Sequence, residues 1–184
     1  MYIYILIISP FSYKLNEESL CEIIYKNFNV STIIKEQKID LSFSYDPVRN
    51  QYNSSKILYK LLEILPQDAL SLIGLTDLDL FIPIFTYVFG EAQLDGKVGI
   101  VSIHRLKDEL YGLPENPYKL QERMEKEIIH ELGHNFGLFH CENYCVMRAS
   151  NYMEEIDLKP PYLCKYCKEF IYEKIKKINR NIKG

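Results

Sequence analysis

The sequence predicts an α/β fold, in the broader α+β sense, built on a mixed β-sheet. Three observations favour it. The first segment, YIYILII, is a continuous apolar run of the kind found in buried strands. After it, helix-spaced and strand-like segments alternate along the front half of the chain. Further on, the dipeptide Asp95-Gly96 lies between two apolar stretches and favours a tight hairpin turn, which adds an antiparallel pair.

Each element of the front half has a local signal. Helical spacing marks EESLCEIIYKNF and NSSKILYKLLEIL, the latter with Asn53 or Ser54 as N-cap and Pro66 after its end. Strands are predicted for YIYILII, VSTIIKEQ, ALSLIGLT and the two arms of IFTYVFGEAQLDGKVGIVSIHRL. Residues 38–52 are polar with a proline, and residues 107–117 hold two prolines and a glycine. Both segments are therefore predicted as loops.

Length and composition exclude several classes of protein. A chain of 184 residues forms about one domain. The net charge of −3 makes nucleic acid a poor default partner, and no apolar run approaches the ~18 residues that span a bilayer. No positive charge precedes YIYILII and no small-residue cleavage site follows it, which argues against a secretory signal. We expect a cytoplasmic protein, and we leave a monomer as the working assumption. Clustered cysteines in that compartment indicate metal ligands.

The long helix that begins near Tyr118 carries the main chemical signal, HELGHNFGLFH. Its apolar stripe recurs every four residues, and His130 and His134 lie one turn apart away from that stripe, on the expected solvent side. Gly137 can end the helix and turn the chain, which allows His140 to join them. Three histidines with a fourth position left for water are typical of a catalytic zinc site. Glu131 suits a general base acting on that water, whose pKa bound zinc lowers to about 7.

A second set of ligands follows directly. Cys141 and Cys145 form one close pair, and Cys164 and Cys167 form a C-x-x-C pair. Four thiolates in two close pairs predict a closed, structural Cys₄ zinc site. The sequence thus predicts two Zn²⁺ ions per chain, one catalytic and one structural.

Together these motifs resemble the archaemetzincin family, a branch of the metzincin metallopeptidases. The matching positions are His130, Glu131, His134, Gly137, His140, Cys141, Cys145, Met147, Cys164 and Cys167. The resemblance implies a twisted mixed sheet with a backing helix and an active-site helix, and Met147 as the Met-turn residue beneath the catalytic metal. It departs from the family pattern at one point, since three residues rather than four separate Cys141 from Cys145. We expect one metallopeptidase domain over 1–184, with an N-terminal subdomain at 1–140 and a small zinc-bearing C-terminal subdomain at 141–184.

Two functions remain at this stage. The first is a zinc-dependent peptidase acting on peptide or protein substrates, either as an aminopeptidase or by internal cleavage. The alternative is a non-catalytic zinc-stabilised binding module, which would have no need of Glu131 beside three histidines. If the chain is a peptidase, the resemblance implies that substrate lies along an edge strand, here IFTYVFGEA, which Gly90 would bend.

Overall fold

The predicted strands and helices of the large sheet occur in the predicted order, with further short elements between them. In the computed structural model, the backbone is described for residues 1–8 and 10–183 and the side chains for residues 1–8 and 10–180. The elements are β1 (Tyr2–Ile8), α1 (Glu17–Phe28), β2 (Thr32–Gln37), β3 (Tyr45–Asp46), β4 (Gln51–Asn53), α2 (Ser54–Glu63), β5 (Ala69–Thr76), β6 (Leu80–Phe81), β7 (Gly90–Ala92), β8 (Val98–Ser102), α3 (Pro117–Asn135), α4 (Met153–Leu158) and α5 (Lys165–Lys183).

The predicted mixed α/β architecture is confirmed. Five strands form one sheet in the order β2-β1-β5-β8-β7, in which β7 alone is antiparallel to its neighbour. The central strand β5 is buried along its whole length, as expected for a parallel strand covered on both faces. One apolar core joins the sheet to α1, α3 and the C-terminal segment, and a second joins it to α2. The sheet therefore holds α3 on one face.

The prediction of a loop over residues 38–52 is wrong in part. Strands β3 and β4 pair there as an antiparallel hairpin, and β4 then runs parallel to β6 in a small second sheet. Asn50 takes a positive φ of 54°, which lets the chain reverse without a glycine. Tyr45 and Tyr52 face each other across the pair with ring centroids 5.1 Å apart. A short cross-strand aromatic contact thus forms a hairpin in a segment whose polar composition hides it.

The second hairpin is shorter than expected. The turn does fall at Asp95-Gly96, with Asp95 at φ 53°, and β7 and β8 pair on either side. Of the predicted strand 84–92, however, only the last three residues are strand. Val88 instead donates its N–H to the Leu80 carbonyl, 2.9 Å away, in an isolated bridge. The preceding residues are irregular because their backbone bonds go to the small sheet rather than to β8.

Helix α3 has defined signals at both ends. The Asn116 side chain accepts a hydrogen bond from Lys119 N–H, and Pro117 occupies the first helical position. At the other end Gly137, at φ 97°, donates to the His134 carbonyl, and Leu138 donates to the Gly133 carbonyl, both at 2.9 Å. This pair of bonds is a Schellman motif, which satisfies the last carbonyls and turns the chain sharply.

The C-terminal segment folds back over α3. Its apolar residues, including Val146, Met153, Ile156 and Ile171, belong to the same core as α3. The division into subdomains at residue 140 therefore stays a prediction, although the elements beyond it do form a distinct helical segment. Among the described residues, no helix is both long enough and apolar enough to cross a membrane.

Candidate active site and metal centres

His130, His134 and His140 meet at the end of α3. Their ligand nitrogens all lie within 4.8 Å of one another, and the ring centroids are 4.6 to 5.3 Å apart. His130 and His134 are brought together by one helical turn, whereas His140 is returned to them by the turn at Gly137. The structure thus assembles the three histidines that the sequence indicates.

The protonation of the first two rings shows that the cluster suits a cation. Nδ1 of His130 lies 3.0 Å from the Val146 carbonyl, and Nδ1 of His134 lies 2.7 Å from the Leu138 carbonyl. Because a carbonyl only accepts, each Nδ1 carries the proton and each Nε2 presents a lone pair. These two Nε2 atoms lie 3.0 Å apart. Two lone pairs at that distance repel unless a cation lies between them, and zinc–nitrogen bonds of ~2.0–2.1 Å need similar ligand spacing.

The expectation that the histidines lie on the solvent side of the helix is wrong. His130 is only 6% exposed and His134 is half-buried. The segment after His140 covers this face of α3 and supplies the Val146 carbonyl to His130. Burial lowers the pKa of His130 well below its usual value and also lowers that of His134. Both rings are therefore held in the neutral form that binds metal.

Glu131 is buried beside the histidines, directly under β7. The residue is 5% exposed, and burial followed by the charge of Glu127 raises the pKa of its carboxyl well above the usual range. A Cβ at Gly90 would lie 2.7 Å from Glu131 Oε1. Gly90 therefore provides the space that this carboxylate occupies, and the expectation that it also bends the edge strand stays a prediction.

Met147 packs against α3 at Gly133. It is fully buried, and its sulfur packs on Gly133 so closely that a Cβ there would overlap it. The carbonyl of Met147 accepts a hydrogen bond from the N–H of Cys141, 3.0 Å away. This bond joins Met147 to the first residue of the cysteine cluster, and the role of Met147 as the Met-turn residue beneath the metal stays a prediction.

Cys141, Cys145, Cys164 and Cys167 converge in the same way, with their sulfurs within 4.8 Å of one another. The sulfurs of Cys141 and Cys164 are 3.8 Å apart, and the N–H of Cys164 donates to Cys145 Sγ at 3.2 Å. Zinc–sulfur bonds of ~2.3 Å in a tetrahedron place sulfurs about 3.8 Å apart. The four thiols therefore fit a zinc ion, and the short spacing between Cys141 and Cys145 does not prevent their convergence.

A cleft with a volume of about 410 Å³ opens over the histidines. One wall is the stretch 85–92, and the other consists of residues 149–152 together with Glu127 and Lys159. The hydroxyl of Tyr87 donates to the Asn151 carbonyl, 3.0 Å away, and so links the two walls. Sequence reasoning missed this second wall. Glu127 alone had a signal, since it precedes His130 and Glu131 by one turn on the same helix face.

A cleft with three converging histidines, a buried glutamate on the same helix and a separate four-cysteine cluster defines a zinc metallopeptidase. The model of peptidase family M54 matches residues 22–175. The chain belongs to this family, whose members include the archaemetzincins. The peptidase hypothesis is thus confirmed, and the non-catalytic binding module is not supported.

Individual relatives agree with the family match. The archaemetzincin of Methanocaldococcus jannaschii is 44% identical over 132 residues, which are 71% of this chain and 72% of that protein. The crystal structure of archaemetzincin from Methanopyrus kandleri has a TM-score of 0.81 at 30% identity and covers 95% of this chain and 96% of that one. A zinc-dependent peptidase from Methanocorpusculum labreanum has a TM-score of 0.82 at 30% identity, with 92% and 99% covered.

Proposed function

We propose that His130, His134 and His140 hold the zinc ion of this metallopeptidase and that Glu131 is its general base. The observation that carries the proposal is the pair of facing lone pairs on His130 and His134, 3.0 Å apart, at the floor of a cleft that also contains Glu131. Cys141, Cys145, Cys164 and Cys167 hold a second, structural ion.

When bound, the first zinc ion supplies a Lewis acid that polarises a carbonyl and acidifies a water molecule. Glu131 then takes a proton from the attacking water and returns it to the leaving nitrogen. Burial and the negative charge of Glu127 raise the pKa of Glu131, which makes its carboxylate a stronger base than an exposed glutamate. Gly90 keeps this carboxylate under the strand that faces the substrate.

The substrate backbone binds along β7, the edge strand of the large sheet. Ser102 N–H donates to the Phe89 carbonyl and Gln93 N–H donates to the Val98 carbonyl, so these groups face β8. By the alternation of antiparallel pairing, the N–H and C=O groups of Gly90 and Ala92 point away from β8. An extended peptide can pair with these groups, and much of its binding then comes from the backbone.

The test is the substitution Glu131→Gln, which keeps the shape of the side chain and removes the base. Zinc content should stay at the wild-type value while peptide hydrolysis falls by roughly 10² or more. Mass spectrometry of the products from a peptide mixture distinguishes trimming of amino termini from internal cleavage. Hydrolysis that survives the substitution at the wild-type rate would show that Glu131 is not the base.

A further inference from the structure

A buried ion pair forms part of the second wall of the cleft. Lys159 Nζ lies 2.7 Å from Glu127 Oε1, and the two side chains are 2% and 5% exposed. Replacing a buried ion pair by apolar side chains of similar size is often neutral or stabilising. Stability alone therefore does not favour charged groups at this place.

The pair lies one turn of α3 before His130 and Glu131, on the same helix face. One turn advances about 5.4 Å along the helix axis, whereas an extended peptide advances about 3.4 Å per residue. A group that occupies this part of the cleft therefore belongs to a substrate residue close to the cleaved bond.

The polar groups here have unused hydrogen-bonding capacity. Besides Glu127, the only acceptor of Lys159 Nζ among the described residues is the Arg148 carbonyl, at a weak 3.5 Å. An ammonium has three donors, so at least one is free. A buried donor of this kind needs a polar occupant.

We propose, as an extension that rests on the proposed function, that Glu127 and Lys159 form a subsite selecting a neutral amide side chain, glutamine or asparagine, next to the cleaved bond. The amide oxygen accepts from Lys159, and the amide NH₂ donates to the Glu127 carboxylate. Because the ion pair is electrically neutral, an amide satisfies both of its members without adding a charge. A carboxylate in the same place would meet the negative charge of Glu127, and an apolar side chain would leave the polar groups unpaired.

The test uses peptides identical except for glutamine, glutamate or methionine, three side chains of similar size, moved in turn through each position of the sequence. Binding is measured by fluorescence polarisation on zinc-loaded Glu131→Gln protein, and hydrolysis is measured on the wild type. At one position, glutamine should be favoured over glutamate and methionine by roughly tenfold or more. Methionine should become preferred at that position when Glu127 and Lys159 are both replaced by methionine.

Lys126→Met is the matched control. Lys126 is also a buried lysine and belongs to α3 itself. It donates to the carbonyls of Ile156 and Asp157, however, and does not line the cleft. This variant should keep the preference for glutamine. Preference for glutamate or methionine in the unmodified subsite, or a glutamine preference that persists in the double variant, overturns the proposal. Selective binding without any hydrolysis would contradict the proposed function but not the subsite. Hydrolysis without selectivity would contradict the subsite but not the proposed function.

Discussion

At the scale of single residues, two glycines are required by what lies against them rather than by backbone conformation. Gly133 faces the sulfur of Met147, and Gly90 faces the carboxylate of Glu131. Neither takes a positive φ, in contrast to Gly137 at the end of α3. Gly133 therefore lets Met147 pack closely on α3, the helix that carries His130 and His134. Gly90 lets β7 pass close to the same helix.

Gly90→Ala tests the part of this arrangement that concerns catalysis. The added Cβ would lie 2.7 to 2.9 Å from three atoms of the Glu131 side chain, so the carboxyl must move. A displacement of about 1 Å at a catalytic group costs roughly 10² in rate. We expect kcat to fall by about that factor with zinc content unchanged. Gly112→Ala is the control, because nothing lies within 4 Å of its Cβ position, and it should affect stability alone. Equal kcat values for Gly90→Ala and the wild type would exclude a spatial role for Gly90.

At the scale of elements, α4 is held against α3 by a buried arginine side chain. Arg123, 2% exposed, donates from Nε and Nη2 to both carboxylate oxygens of Asp157, at 2.6 and 2.8 Å. Its remaining nitrogen donates to Asp108 and to the Leu106 carbonyl. Since α4 follows directly on residues 149–152, this arginine fixes one wall of the cleft relative to the histidines.

Arg123→Met should destabilise the protein by about 3 kcal/mol, because it leaves the buried carboxylate of Asp108 without a partner and removes both hydrogen bonds to Asp157. Lys119→Met is the control: Lys119 is exposed and 4.0 Å from the same Asp157, and its loss should cost under about 1 kcal/mol. Urea denaturation measures both. Similar midpoints for the two variants would show that Arg123 does not hold α4.

The same contact predicts a pH dependence. Burial acts to raise the pKa of Asp157, but the hydrogen bonds and charge of Arg123 outweigh it and hold that pKa below its ordinary value. A lowered pKa in the folded state contributes stability above the ordinary aspartate pKa of about 3.9, and this contribution is lost as pH falls through the folded value. The difference in unfolding free energy between wild type and Arg123→Met should therefore shrink below about pH 4.

Local patterns were enough to predict α1, α2 and α3, the parallel strands of the large sheet, and the three histidines and four cysteines that converge. The helical spacing of apolar residues and the capping residues indicated α1, α2 and α3. The arrangement of His130, His134 and His140 depends only on one helix and the turn that follows it. The second wall of the cleft could not be predicted in this way. Lys159 meets Glu127 across 32 residues, through the fold of the segment after Met147, and no spacing rule reports such a pair. The length of strand β7 was overestimated because Val88 pairs with Leu80, a contact that the periodicity of the sequence does not show.

At the scale of the whole molecule, the two metal centres differ in how they are connected to the core. Cys145 and Cys167 are buried within the main apolar core, and Cys167 lies in the first turn of α5, which packs on α1. His140, by contrast, is exposed at the rim of the cleft. Loss of the cysteine-bound ion should therefore disturb the core, whereas loss of the histidine-bound ion should leave it in place.

We expect two zinc ions per chain, of which mild chelation removes one, abolishing hydrolysis while the circular dichroism spectrum and the melting temperature change little. His140→Ala should lose the same ion with the same small effect on melting. Cys167→Ser should lose the other ion and lower the melting temperature by several degrees, since the three remaining thiols would then converge with nothing to bind them. Metal analysis by mass spectrometry and thermal melts on the same samples decide the matter. One zinc per freshly purified chain, or loss of helical signal with the first ion removed, would contradict this division between the two centres.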